Sequence, residues 1–262
     1  MGEVPYTLYY ASHSICSIMV RVTFALRGPP KDGKGMQMKE QEVDIGDRAE
    51  QIEEEFLCDI NPEGYVPVLA HPQLLPKPMP ESVDITRYFA EHYPRLWPDE
   101  YAEEIESLLD ALHQINFYAL TFGGLPHRGE VLQKSLRAKL AQPGISDRYR
   151  RALEYKLDQR QAMELNILPE QVAANEERSR TFNAQIEALM AKHADGKDNK
   201  YIYGEEPTAL DAHVLCFLSR LYDKGRTHLI SPRLLKYLMD FREGDAWRAV
   251  VPSGSTVPLY IE

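Results

Sequence analysis

TLYYASHSICSIMVRVTFALRG, residues 7–28, decides how the first half of the chain is built. TLYYAS is β-branched and aromatic and reads as a buried strand. IMVRVTFAL then carries apolar residues at helical spacing, and Gly28 stops it. Between the two lie three serines and a cysteine within Ser12 to Ser17. Small polar residues at such a junction satisfy free backbone N–H groups, so a helix cap is the first reading of Ser14. The same helix start, with its free N–H groups and positive dipole end, also favours an anion such as a thiolate. These residues alone leave that choice open.

Outward from this strand and helix, GPPKDGKG is a turn-rich basic loop and MQMKEQEVDIG alternates as a second strand. AEQIEEEFLCDINP reads as a short helix ended at Asn61-Pro62. VPVLA and the proline-punctuated HPQLLPKPMP suggest two short strands joined by a turn, the prolines favouring edge positions. ESVDITRYFAEHYP sets Val83, Ile85, Tyr88 and Phe89 on one helical face. The order is βαβαββα. Beyond PRLWPDEY the character changes: EEIESLLDALHQINFYALTF carries Ile105, Leu108, Leu109, Leu112 and Ile115 as a helical stripe, and four later segments read as helices with no convincing strand. The expected organisation is an α/β domain over 1–94, a linker over 95–102 and an all-helical domain over 103–262.

The totals narrow the function. The chain has 262 residues, 44% hydrophobic, with a net charge of −10, which suits one large or two modest domains with a real core. An acidic total without a dense Lys/Arg block gives no footprint for a phosphate backbone, so nucleic acid is not an expected partner. Cys16, Cys58 and Cys216 are odd in number, far apart and without metal spacing, which fits a reducing compartment. The eight histidines show no HExxH pattern, so metal catalysis is not expected. The first residues lack a secretory signal, Tyr6 stands where a myristoylation signal needs Ser or Thr, and no apolar run approaches a bilayer span. The expectation is a cytosolic protein with no membrane partner.

Two further stretches sharpen the reading. In NPEGYVPVL, a proline directly before a short edge strand is the context in which a cis Val66-Pro67 bond would present the Val66 backbone to an extended peptide ligand. In PES, Glu81 and Ser82 open a helix and could take a ligand's α-ammonium and α-carboxylate groups; capping and dipole complementation are the competing role. Taken together, LYYASHSICSIMVRVTFALRG, NPEGYVPVL and PESVDITRYF resemble the soluble glutathione transferases. The resemblance runs over nearly the whole chain and is closest to the zeta class. There the family's Ser-Ser-Cys-Ser is met by Ser14-Ile15-Cys16-Ser17, with Val20-Arg21 following. Thr208-Ala209-Leu210-Asp211 is similar to the family's capping box and reads as a folding element.

The resemblance implies a thioredoxin-like N-terminal domain, an all-helical C-terminal domain, glutathione as the cofactor and a homodimer. It implies Ser14 as the hydroxyl that donates to the glutathione sulfur, with Ser17 second. Cys16 is the alternative, through a mixed disulfide in a glutaredoxin-like reaction. Tyr9 and Tyr10, near the strand end where some classes use a tyrosine, are expected to pack in the strand. Val66, Pro67, Glu81 and Ser82 would hold glutathione. His113, Asn116, Tyr118, Phe122, His127 and Arg128 would line the pocket for an electrophilic, conjugated or aromatic small molecule. Ile15 for the second serine, the long loop after Gly28 and the enlarged stretch over 123–151 depart from the family pattern and leave the subclass and the substrate open. Conjugation, zeta-type cis–trans isomerisation and a non-catalytic binding module therefore all remain. A softer resemblance, to glutathione transferase-like proteins of fungal secondary metabolism, implies polyketide-like substrates.

Overall fold

The structure is a computed structural model that describes residues 4–125, 128–194 and 199–258. Strand β1 (Tyr6–Tyr10) runs parallel to β2 (Met38–Glu42), with Tyr6 opposite Met38 and Tyr10 opposite Glu42. On its other side β1 is antiparallel to β3 (Val68–Ala70), which pairs antiparallel with β4 (Met79–Pro80). The sheet order is β2-β1-β3-β4. Both outer strands carry the sequence features of edges: β2 is charged and mostly exposed, and β4 ends in Pro80, whose missing N–H would break a central ladder.

Helix α1 (Ile15–Ala25) is apolar on more than one side because it is covered on more than one side. Val20 packs with the sheet and with α2 (Ser82–His92) through Leu8, Leu69, Ile85 and Phe89. Ile18, Met19 and Val22 face the helical half of the chain. Gly28 follows the helix at φ +72°, and a Cβ there would lie 2.6 Å from Arg95 Nε. Arg95 uses that closeness to donate to the Leu26 carbonyl at 2.5 Å and to Glu206 at 2.6 Å, tying the end of α1 to the later chain.

Helices α3 (Ala102–His113), α4 (Phe117–Phe122), α5 (Arg128–Leu140), α6 (Asp147–Met163), α7 (Pro169–Lys192), α8 (Ala209–Asp223), α9 (Pro232–Arg242) and α10 (Asp245–Val250) complete the chain. Every residue of α8 from Ala209 to Leu221 is buried. Its start bears out the capping box. The Asp211 carboxylate accepts the Thr208 N–H and hydroxyl, both at 2.8 Å, and the Ile202 N–H and Tyr237 hydroxyl, both at 2.7 Å. A buried carboxylate with four donors is a structural joint.

Two elements differ from expectation. The helix expected over 49–62 is a 3₁₀ turn (Glu50–Ile52) followed by a π turn (Phe56–Ile60), closed by Asn61 N–H on the Phe56 carbonyl. Ala49 enters at φ +50°, Glu53 turns extended, and a continuous helix would set Glu50 against Glu53 and Glu54 at i,i+3 and i,i+4, where like charges repel. The wider turn still buries both Phe56 and Leu57. The stripe over 103–122 is divided, since Asn116 turns extended (φ −77°, ψ 95°) and caps α4 with its side chain. The enlarged stretch supplies α5 and α6, which pack on the 3₁₀/π segment through Leu136, Tyr149 and Leu153 against Ile52 and Leu57. Among the described residues no helix is long and apolar enough to cross a membrane, and no cluster of His, Cys, Asp and Glu could hold a metal.

Candidate functional site

Ser14 sits at the N-cap of α1. Its hydroxyl oxygen accepts the Ser17 N–H and its hydrogen points to the Val66 carbonyl, each at 3.4 Å. Both bonds are long, which leaves the hydroxyl loosely held between two backbone partners. The Val66–Pro67 peptide is cis. Ser17 is different: it is wholly buried outside the cavity lining, and its oxygen accepts the Ala11 N–H at 3.2 Å, bracing the loop from inside.

Ser14 lies in the wall of a cavity of about 580 Å³. The loop over 42–49 forms one rim. Tyr65 and Val66 lie beside Ser14, α4 contributes Tyr118, Thr121 and Phe122, and α6 contributes Lys156 and Arg160. Arg160 donates to the Tyr118 hydroxyl at 3.2 Å and lies over its ring. The wall is therefore aromatic and cationic toward α6.

Arg220 of α8 also reaches this cavity, although it is almost wholly buried. Its guanidinium donates to the His13 carbonyl (2.7 Å), the Thr256 carbonyl (2.9 Å), the Thr256 hydroxyl (3.1 Å) and the Thr121 hydroxyl (3.0 Å). All four acceptors are neutral. Burial lowers the guanidinium to about 10, against the nearby Asp223. Asp223 instead accepts the Thr256 N–H at 2.7 Å and hydroxyl at 2.8 Å. A buried cation without a directly bound carboxylate favours any anion brought into the cavity. His13, half-buried in the same wall, is held neutral first by burial and then by Arg220.

Cys16 does not line the cavity. It packs against the large core cluster, and burial pushes its thiol up to about 11 despite a hydrogen bond with Ser82. A thiol protonated at neutral pH makes a poor nucleophile, so the structure argues against Cys16 as the reactive group. Glu81 and Ser82 lie beyond Cys16, outside the cavity wall. Glu81 holds φ +70°, costly for a non-glycine residue, and caps α2 with no side-chain bond. Burial raises its carboxyl, with Asp84 and Glu63 adding to it. Ser82 follows, buried at the first turn.

Of the expected pocket residues, Tyr118 and Phe122 are in the cavity. His113 is not: its Nε2 meets His213 Nδ1 at 3.1 Å, and His213 Nε2 meets the Thr86 hydroxyl at 2.9 Å, at the junction of α2, α3 and α8. Asn116 is not either, since it caps α4 by accepting the Ala119 N–H at 3.0 Å. His127 lies outside the described residues, and so does the side chain of Arg128, which begins α5. Tyr9 packs edge-on to Phe56, and Tyr10 lies under Arg21.

Sequence reading missed His13, Tyr65, Lys156, Arg160 and Arg220. Three of these had a signal. Arg220 interrupts the apolar run LCFLSRL, and Lys156 and Arg160 recur at helical spacing with Tyr149 and Leu153, the buried face of α6.

No protein-family model matches the chain. No curated protein matches it in sequence. The fold has many solved counterparts. A glutathione transferase homolog from Sulfitobacter, solved with bound glutathione, is 18% identical at a TM-score of 0.58, covering 96% of this chain and 99% of that one. Glutathione transferase F7 from Populus trichocarpa is 18% identical at a TM-score of 0.60, covering 95% and 98%. A bacterial maleyl pyruvate isomerase of the zeta class, in its holo form, is 19% identical at a TM-score of 0.53, covering 95% and 98%. At these identities the likeness establishes the fold: a thioredoxin-like α/β half followed by an all-helical half.

Proposed function

We propose that this chain is a glutathione-dependent transferase that activates the glutathione thiolate toward an electrophilic, conjugated or aromatic small molecule. The observation that carries this reading is the Ser14 hydroxyl, held loosely at a helix N-terminus and beside Val66 in the wall of a cavity that also contains buried Arg220. A free thiol of this kind has a pKa of about 8.5, so only a few per cent is ionised at neutral pH. Ser14 would donate to the sulfur, the free N–H groups of α1 would add their dipole, and Arg220 would supply a nearby positive charge. The Val66 backbone fits the cysteinyl part of the tripeptide. The α2 start, with no side-chain cap, fits its γ-glutamyl carboxylate, and Glu81 fits the ammonium.

Glutathione enters here as a reactant. In conjugation it is consumed; in the isomerisation named for the zeta-class neighbours it is returned, and the same Ser14 hydroxyl serves both. Conjugation is the reading held here, because α5 and α6 enlarge the cavity beyond what a small diacid needs. Following glutathione and product together by chromatography tests it. One equivalent of glutathione lost per product supports conjugation; turnover with no net loss moves the reading to isomerisation. A homodimer belongs to the same proposal, and sedimentation at micromolar concentration should give a species of twice 30.0 kDa. A lone monomer would contradict it.

A further inference from the structure

Beyond α10 the described chain returns to α8, and two side chains of that helix, Arg220 and Asp223, take hold of one residue, Thr256. Thr256 is 0% exposed, and each of its polar groups is bound. Its N–H and hydroxyl donate to one oxygen of Asp223, its hydroxyl oxygen accepts from Arg220 Nε, and its carbonyl accepts from a terminal nitrogen of Arg220. Asp223 is fixed in turn: Arg242 of α9 donates to its other oxygen at 2.9 Å and also to the Gly254 carbonyl.

The Arg220 nitrogen that donates to the Thr256 carbonyl also donates to the His13 carbonyl. Two acceptors sharing one guanidinium nitrogen stand about 5 Å apart. His13 precedes Ser14, so one buried cation pins the segment over 251–258 to the turn that carries the serine hydroxyl. Val257 follows Thr256 at once. Val257 and Pro258 both line the cavity and both stay half-exposed, so unlike the buried cations they are open to what fills it. The Ser255 hydroxyl holds the Val257 backbone from two directions, donating to its carbonyl at 3.1 Å and accepting its N–H at 3.3 Å. A valine held this firmly and left open in a cavity offers apolar area whose covering costs little further ordering.

Resting on the reading of this cavity as a glutathione site, we propose that Val257, with Pro258 beside it, is the wall on which the apolar body of the electrophile packs, and so a specificity-determining residue. Thr256 is a positioning residue that acts through it. Because Thr256 shares its donor with the residue before Ser14, the wall stands beside the place of the sulfur. It therefore favours electrophiles whose ring or chain begins next to the reacting carbon.

Thioethers of glutathione test this with no reaction taking place. They carry no thiolate, so any effect of Arg220 on the charge of the sulfur drops out. The probes are S-methylglutathione, which barely reaches past the sulfur, and S-benzylglutathione, which sets a ring one carbon beyond it; calorimetry gives their affinities. Val257→Ala should weaken the benzyl thioether by about fivefold, as for two methyl groups covered on one side, and leave the methyl thioether within about twofold. Thr256→Val, which keeps the shape and loses the hydroxyl bonds, should give the same split, and Thr256→Ser should restore it. Val257→Ala removes no hydrogen bond, so it carries the test alone if Thr256→Val fails to fold. Equal weakening of both thioethers, or no change in either, overturns the proposal and leaves the segment as a structural clasp on α8. A wild type that binds the methyl thioether but not the benzyl one overturns it as well. A wild type that binds neither overturns the glutathione reading beneath it.

Discussion

Acid should unfold this protein through one buried pair of histidines. His213 is wholly buried, His113 is partly buried, and the two join α3 and α8 to Thr86 of α2 in a single chain of hydrogen bonds. In either direction of the chain, His113 Nε2–H to His213 Nδ1 and His213 Nε2–H to the Thr86 hydroxyl or the reverse, His213 must be neutral, because one of its ring nitrogens accepts. Burial lowers His113 from 6.5 to about 4, with Arg87 acting in the same direction and Asp110 opposing. His213 is lowered well below its ordinary value, by burial and by His113. Because the folded values are depressed, the stability these rings allow is complete above pH 6.5 and is lost as pH falls toward 4. At pH 5 an unfolded imidazole is nearly all charged and the folded His113 nearly all neutral, which costs about 2 kcal/mol, growing toward about 3 kcal/mol below pH 4. Urea unfolding at pH 7 and pH 5 measures this. His113→Gln keeps a donor for His213 Nδ1 and cannot titrate, so its stability should fall between the two pH values by about 2 kcal/mol less than the wild type's. Equal falls in the two proteins would refute the reasoning.

Further outcomes follow from the site. Arg220→Met should raise the pKa of bound glutathione and weaken glutathione binding at pH 7, with S-methylglutathione affinity changed less than about threefold; Arg220→Lys should recover part of the loss. Equal weakening of both ligands, measured by calorimetry, would make Arg220 a purely structural brace. Ser82→Ala should weaken glutathione binding by more than Cys16→Ala, and equal affinity for wild type and Ser82→Ala would remove the γ-glutamyl assignment. Cys16, pushed up to about 11, should react with iodoacetamide at pH 7 far more slowly than free glutathione does, followed by mass spectrometry.

What the sequence revealed, and what it concealed, divides along physical lines. β1 and α1 were legible because a period of two gives way to a period of 3.6 across a serine-rich cap, and the proline-bearing β4 fell at an edge for want of an N–H. The N-cap position of Ser14 was legible because a small polar residue before an apolar helix satisfies its free N–H groups, whereas the sequence left the isomer of Val66–Pro67 open and the structure supplies it as cis. The 3₁₀/π segment was not, since its apolar residues satisfy a helical pattern whose hydrogen bonding the sequence does not state. His113 and Asn116 were misplaced for another reason: whether a polar side chain of a helix end faces a cavity, a cap or a neighbouring ring depends on packing from α7 and α8, far along the chain. Arg220 and Lys156 looked like ordinary charges. Their apolar neighbours in sequence hint at burial, but their neutral acceptors come from distant parts of the chain and are a tertiary fact.

The claim at the centre is that the Ser14 hydroxyl and its surroundings hold glutathione as the thiolate. The most direct test is an ultraviolet titration of the thiolate band of protein-bound glutathione, in the wild type and in Ser14→Ala. The account predicts that the bound thiol ionises at least one pH unit below the free value of about 8.5, and that Ser14→Ala raises it by about one unit, roughly 1.4 kcal/mol of lost anion stabilisation. A bound thiol that titrates at or above the free value, or identically in both proteins, would contradict it.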